Sequence, residues 1–237
     1  MATGSREGEA SEFHRAPGET SSRGPEFDYD YWLFDLDGTL IDTAPAYRRS
    51  LFERIGERLG YRFSDEEVER LWYGLGDGRT QCLRSLDIEP DRFWRLFHDE
   101  EDPKARADAT FLFEDALVLK EISVPVGLVT HCQDYLTGPV LETLGIRDWF
   151  DSIVCCTDET GWKPDRQPID LVTAEMEISG RSPQGVFVGD DPYDTGAAWN
   201  AGLDSIHVER VDPAARGHCV MGDYRVSTLF ELRTGIA

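Results

Sequence analysis

Lysine is nearly missing from this sequence. Of 24 basic residues only three, Lys104, Lys120 and Lys163, are lysine, against 46 acidic residues and a formal net charge of −22. Nucleic acid and anionic membrane surfaces are attracted by basic patches, so a chain this acidic is expected to have neither partner. Long apolar runs are missing too. The most apolar stretch, near Ile122 to Val129, carries Ser and Pro and falls far short of the ~20 residues that a membrane-crossing helix requires. The amino terminus has no basic region followed by an apolar segment, so no secretory signal is read there and a cytoplasmic location is expected. The cysteines, Cys82, Cys132, Cys155, Cys156 and Cys219, are odd in number and show no C-x-x-C pair, which signals neither a disulfide framework nor a zinc site. They read as reduced thiols, Cys132 among them as small apolar packing.

The shortage of lysine beside a large acid excess resembles the composition of halophile proteins. Self-repulsion among so many carboxylates opposes the compact state, and dissolved salt screens it. The midpoint of cooperative unfolding is therefore expected to rise with salt concentration, and a salt-independent midpoint in denaturation series would contradict this.

With 237 residues the chain suits one domain with an insertion, or two small ones. Residues 1 to about 26 are rich in Gly, Ser, Glu and Arg with almost no apolar side chains, too few to offset the entropy of ordering, and read as a disordered tail. From Tyr29 the pattern changes. Tyr-Asp-Tyr-Trp-Leu-Phe is a short apolar run stopped by Asp and Gly, as in a strand buried on both faces. Similar runs at 124–129, 152–155, 185–188 and 205–208 alternate with helical patterns, such as Ile169, Val172 and Met176 in a helix ending near Gly180 and Pro183. This alternation predicts an α/β protein with a parallel sheet and crossover helices.

Between Asp42 and about Asp108 the alternation disappears. Tyr47, Leu51, Ile55 and Leu59 form one apolar helical stripe, Ser64-Asp-Glu-Glu67 resembles a capping box opening a second helix, and a third runs around Asp91 to His98. Helices inserted after the first strand of such a sheet belong over that strand's carboxyl end, where open α/β sheets bind ligands.

Asp35 ends the first strand. Alone, it would satisfy turn amides as readily as do chemistry. Asp37 lies two residues on, Gly38 permits close backbone approach and Thr39 adds a hydroxyl, so two carboxylates and several amides converge on one loop that can hold a divalent cation and a phosphate together.

The run Asp35-Leu36-Asp37-Gly38-Thr39-Leu40 resembles the first motif of the haloacid-dehalogenase-like hydrolase superfamily, in its phosphatase branch. Three further family motifs follow in order: Thr130 after Val126-Gly-Leu-Val129, Lys163-Pro164 after the next strand, and Gly189-Asp190-Asp191-Pro192-Tyr193-Asp194 after the one beyond. The resemblance covers about Tyr29 to Leu232. It implies a Rossmann-like parallel sheet over 27–42 and 109–237, with a small helical cap inserted at 43–108. Within the superfamily the chain resembles phosphoglycolate-phosphatase-like proteins.

What the resemblance implies also makes physical sense. Asp35 would be the nucleophile, forming an aspartyl-phosphate, and Asp37 the general acid and then base. The dehalogenase branch lacks that second Asp, which argues against carbon–halogen cleavage. Mg2+ would be held by Asp35, Asp190 and the Asp37 backbone carbonyl, with Asp194 acting through water or as a support. Lys163 would neutralise Asp35 and phosphoryl oxygens, and Thr130 would donate its hydroxyl or cap the next helix. Thr39 is assigned to substrate binding. His131 stands where many relatives have Asn; its role is open between substrate contact and packing. Asp191 is a candidate neighbour or an exposed loop acid, and Asp42 marks the hinge. Arg79 closes the run Tyr73-Gly-Leu-Gly-Asp-Gly-Arg79, a helix-to-helix turn that could offer it to an anionic group. Trp72 and Trp94 read as cap core, while Trp162 could serve either burial or substrate.

The resulting expectation is magnesium-dependent hydrolysis of a small phosphorylated metabolite. A sugar-phosphate mutase using the same Asp pair, and a non-catalytic phosphate-sensing or partner-binding protein, are the alternatives. Oligomeric state is left open.

Overall fold

The computed structural model describes residues 27–178, 183–217 and 219–234. The expected tail, 1–26, lies outside the described residues. The helix expected to end near Gly180 and Pro183 stops earlier, at Glu175 with Met176 as its C-cap.

The first strand, β1 (Tyr31–Phe34), is buried at every position, as a central strand covered by helices must be. After it come β2 (Ile41–Thr43), five helices, namely α1 (Pro45–Leu59), α2 (Asp65–Tyr73), α3 (Arg79–Ser85), α4 (Pro90–Glu100) and α5 (Pro103–Ala109), and then β3 (Thr110–Leu112). Strands and helices alternate from there: β4 (Val126–Thr130), α6 (Asp134–Leu144), β5 (Ser152–Cys155), α7 (Gln167–Glu175), β6 (Gly185–Gly189), α8 (Pro192–Ala201), β7 (Asp204–Val208), the single-turn α9 (Pro213–Arg216) and β8 (Tyr224–Val226).

Six strands form one parallel sheet in the order β5-β4-β1-β6-β7-β8. Counted along the chain this is 3-2-1-4-5-6, the doubly wound Rossmann order, and its winding reverses between β1 and β6. Period-two alternation sends neighbouring residues of β1 into opposite layers. Trp32 and Phe34 join Leu128, Val140 and Val188 on one face, while Tyr31 and Leu33 join Val129, Val172 and Phe187 on the other. The expected α/β architecture is therefore what the chain adopts. Among the described residues no helix is long and apolar enough to cross a membrane.

The inserted helices leave and return through the antiparallel pair β2–β3, in which Ile41 faces Leu112 and Thr43 faces Thr110. They carry an apolar cluster of their own around Leu51, Phe52, Ile55, Leu83 and Phe93. The stripe anticipated for α1 is present, with Leu51 and Ile55 fully buried and Tyr47 and Leu59 at its margin. Ser64 caps α2 as its pattern indicated: its Oγ accepts the Glu67 amide at 3.3 Å, and the Glu67 carboxylate accepts the Ser64 amide at 2.7 Å. Two short helices, α3 and α5, were not foreseen. α5 packs on α6, and its Ala107 belongs to the sheet's own apolar cluster. Phe93 is wholly buried and meets the rings of Phe52, Phe63, Trp94 and Phe97. Phe93→Ala is expected to lower unfolding free energy by ~3–5 kcal/mol, read as a fall in the urea midpoint at constant high salt.

Candidate functional site

Every predicted chemical group after a strand lies at the carboxyl edge of the sheet, around the β1/β6 reversal. The turn after β1 wraps one acid of the turn after β6. Gly38 has φ +81°, and a Cβ there would lie 2.6 Å from Asp190 Oδ1, so glycine is what lets this backbone close on that carboxylate. Thr39 Oγ1 donates to the same Asp190 Oδ1 at 3.1 Å. Asp194, in the first turn of α8, accepts the Asp191 amide at 2.9 Å, while Asp191 Oδ1 accepts the Tyr193 amide at 3.0 Å. This reciprocal cap fixes both acids on the helix start. Lys163, reaching in from the loop after β5, donates from Nζ to Asp35 Oδ1 and Asp194 Oδ1, each at 2.7 Å, and to the Val129 carbonyl at 3.3 Å.

Oxygens of Asp35, Asp190 and Asp194 lie within 4.8 Å of one another, all three buried. Burial raises the Asp35 carboxyl to about 6, with Lys163 pulling it down and Asp190 pushing it up. Burial, then Asp194 and Asp191, raises Asp190 to about 7. Asp194 also rises to about 7 through burial, against the pull of Lys163. Burial works against the Lys163 charge, but Asp194 and Asp35 outweigh it and hold the ammonium protonated. Three buried carboxylates thus share Lys163 and, at 3.5 Å from Asp190 Oδ2, Arg216. Buried anions in excess of their cations are the donor set a hard divalent cation requires, so these residues fit one.

Asp37 is placed differently. Its carboxylate turns to the guanidinium of Arg106, a buried residue of α5 that also lies 3.8 Å from Glu101 and 4.8 Å over the Trp72 ring. Glu101 is raised to about 7 by burial, with Arg106 opposing. The Thr130 hydroxyl accepts the Cys132 amide at 3.0 Å; α6 begins four residues on, so the expected helix-capping alternative is not what it does. Cys132 is half-buried, as packing predicted. His131 Nε2 accepts the Lys163 amide at 3.1 Å, and burial followed by Lys163 pushes the imidazole down to about 3, so the ring is neutral. Thr39, assigned to substrate by the sequence, is fully buried behind Asp190 and directs its hydroxyl there. Arg79 lines the cavity, with its guanidinium on Asp191 Oδ2 at 3.3 Å and on the Leu71 and Trp72 carbonyls. Burial would raise Asp191, but Arg79, the Tyr193 amide and Lys163 together outweigh it and hold the carboxyl low. Asp42 caps no helix; it joins Arg48 at 3.0 Å and the Tyr73 hydroxyl at 2.7 Å.

Against this geometry the comparisons are direct. The family profile described as haloacid dehalogenase-like hydrolase matches residues 32–208. The chain belongs to that family. Phosphoglycolate phosphatase of Escherichia coli strain K12 is 30% identical to this hydrolase over 200 residues, covering 73% of this chain and 78% of the relative. Among solved structures, a subfamily IA hydrolase from Geobacter sulfurreducens superposes with a TM-score of 0.63 at 18% identity, covering 90% of this chain and all of that one. The magnesium-bound hydrolase YfnB of Bacillus subtilis gives 0.62 at 18% identity over 86% and 97% of the two chains.

Two residues of the hydrolase's site gave no sequence signal: Arg106 and Arg216. Arginine is so frequent here that no single one stands out, unlike Lys163 among three lysines. Arg216 is almost fully buried, and among the described residues its guanidinium nitrogens find no hydrogen-bond partner. It faces His207 on β7, whose imidazole is pushed down to about 4 by burial and then by Arg216. A histidine held neutral in the fold but free to protonate when unfolded contributes stability that is complete above its ordinary value of 6.5 and is lost as pH falls toward 4. The urea midpoint of wild type is therefore expected to fall more steeply between pH 7 and 5 than that of His207→Gln.

Proposed function

We propose that this hydrolase is a cytoplasmic, magnesium-dependent phosphatase of small phosphate monoesters, acting through an aspartyl-phosphate on Asp35. The observation that carries the reading is that Asp35 and Asp37 open on one cavity, of about 820 Å3, which Lys163, Asp190 and Thr130 also line. Two neighbouring carboxyls with different partners is how one loop divides nucleophile from proton carrier.

Asp35 attacks phosphorus in line with the ester oxygen. The P–O ester bond breaks, and Asp37 gives its proton to the departing alkoxide. Water then attacks the phosphorus, Asp37 takes a proton from it, and the Asp35–phosphorus bond breaks to yield inorganic phosphate and free Asp35. Lys163 faces the phosphoryl oxygens from the Asp35 side, with the Thr130 hydroxyl as a further donor. The Asp35 and Asp190 carboxylates and the Asp37 carbonyl, supported by Asp194, would hold magnesium, which would neutralise phosphate charge. The insertion over 43–108 serves as a cap excluding bulk water. Its glycine turn meets the sheet side where the Gly76 amide donates to the Arg216 carbonyl at 2.8 Å, next to the Arg79–Asp191 pair.

The test is phosphate release from a panel of phosphate monoesters in high salt with magnesium, including 2-phosphoglycolate, followed by chromatography of the products. Stoichiometric phosphate and alcohol support hydrolysis. Accumulation of a phosphorylated isomer without free phosphate would make the protein a mutase, and binding without turnover of any ester would make it a sensor.

A further inference from the structure

The cavity is far larger than a phosphate group, and at about 820 Å3 it falls among pockets that enclose ligands of drug size, ~300–1,000 Å3. A two- or three-carbon leaving group would leave most of it to water. Among the uncharged residues of its walls are several aromatic side chains, and the rings differ in what already occupies them. Trp72 has Arg106 4.8 Å and Arg48 5.8 Å from its ring. Trp94 and Phe97 are part of the ring cluster around Phe93, at 5.1 and 5.9 Å. Trp162 and Tyr193, on the sheet side, are 39% and 51% exposed, and both line the cavity. They flank His131, with ring centroids at 5.6 and 6.3 Å and ring planes inclined to it by 60° and 55°, so the three rings line one wall without sharing a plane.

These rings are placed by the same loops that place the chemistry. Trp162 precedes Lys163, and its Nε1 donates to Asp158 Oδ1 at 2.9 Å, which fixes the indole. Tyr193 lies between Asp191 and Asp194, its amide held by Asp191. Large apolar side chains left exposed inside a cavity are more informative than those scattered over a surface, and a rigid ring offers stacking area at little entropic cost.

We infer that the wall of Trp162, His131 and Tyr193 is a platform on which a planar ring carried by the leaving group stacks on one exposed ring against the edges of the others, which makes nucleoside 5′-monophosphates the substrate class. This rests on the phosphatase reading above. The phosphate faces Asp35 and Lys163, the sugar spans the distance past Asp37, and the base lies on the sheet-side rings.

The experiment compares kcat/KM for UMP and AMP with that for ribose 5-phosphate, which is the same ester without the base, in magnesium and high salt. Pyridoxal 5′-phosphate is a further arm, carrying a ring without a sugar. The nucleotides are expected to exceed ribose 5-phosphate at least tenfold, with Trp162→Leu and Tyr193→Leu each shrinking that ratio at least threefold through KM. Equal or better turnover of ribose 5-phosphate, or a ratio untouched by both substitutions, would overturn the platform. A preference for pyridoxal phosphate over both nucleotides would overturn the nucleotide assignment. Calorimetry on Asp35→Asn with magnesium separates this from failure of the phosphatase reading. If wild type hydrolyses no ester, tighter binding of UMP than of ribose 5-phosphate still supports the platform, and equal binding refutes it.

Discussion

Asp35→Asn is expected to lower phosphate release by ~10⁴-fold or more for every ester the protein hydrolyses, because an amide oxygen cannot form the covalent intermediate. The same substitution is expected not to weaken the fold in magnesium-free buffer. Asp35 is buried beside Asp190, whose charge raises the Asp35 carboxyl, and Asp35 in turn raises that of Asp194. Removing one of three crowded carboxylates relieves that repulsion, while Lys163 keeps Asp194 at 2.7 Å and the Val129 carbonyl at 3.3 Å. Active sites often hold such destabilising groups because the chemistry needs them. Thermal melts should thus show an unfolding temperature no lower than wild type in EDTA, and a smaller rise on adding magnesium, since a proposed ligand is gone. Retained turnover would remove Asp35 as nucleophile. Lost turnover with a collapsed melting temperature would make the residue structural instead.

The sheet and its chemical edge were legible in the sequence because both are written locally. A strand buried on two faces is a continuous apolar run; Asp35 and Asp190 directly follow such runs and Thr130 closes one, while Lys163, eight residues past β5, stood out by the rarity of lysine. The parallel order then brings strand ends together without further information. What the sequence did not show depends on contacts distant along the chain. Arg106 reaches Asp37 across 69 residues, and Arg210 reaches Asp115 across 95, and no spacing rule announces either pair. The short α3 was hidden by its glycine-rich approach: Gly74, Gly76 and Gly78 all have positive φ, yet Arg79 is already helical. The strands β2, β3 and β8 are three residues each, too short for period-two alternation to register. Thr39 shows the limit from the other side. Its place in the motif was read correctly, but which face of the turn its hydroxyl took was settled by Asp190, 151 residues away.

Lys163→Met should separate the roles that Asp35→Asn leaves joined. Methionine keeps much of the side chain's length and loses only its charge and donors. Asp35 and Asp194 then remain buried with no ammonium between them, and breaking a buried pair by removing one partner costs about 3–5 kcal/mol. Unlike Asp35→Asn, this variant is expected to lose stability and activity together. The pH dependence fixes the cause. Carboxyls whose folded values lie above their unfolded ones, as Asp35, Asp190 and Asp194 do, bind protons more readily when folded, so their contribution is favourable at low pH and is lost as pH rises through the folded value, about 6 for Asp35 and about 7 for Asp190 and Asp194. Lys163 lowers Asp35 and Asp194, so without it both rise further and the loss deepens across that window. Urea midpoints of Lys163→Met relative to wild type, in EDTA and high salt, should therefore differ more at pH 8 than at pH 5.5. A deficit of equal size at both pH values would mean that the lysine acts by filling space, and the charge balance assigned to this site would be wrong.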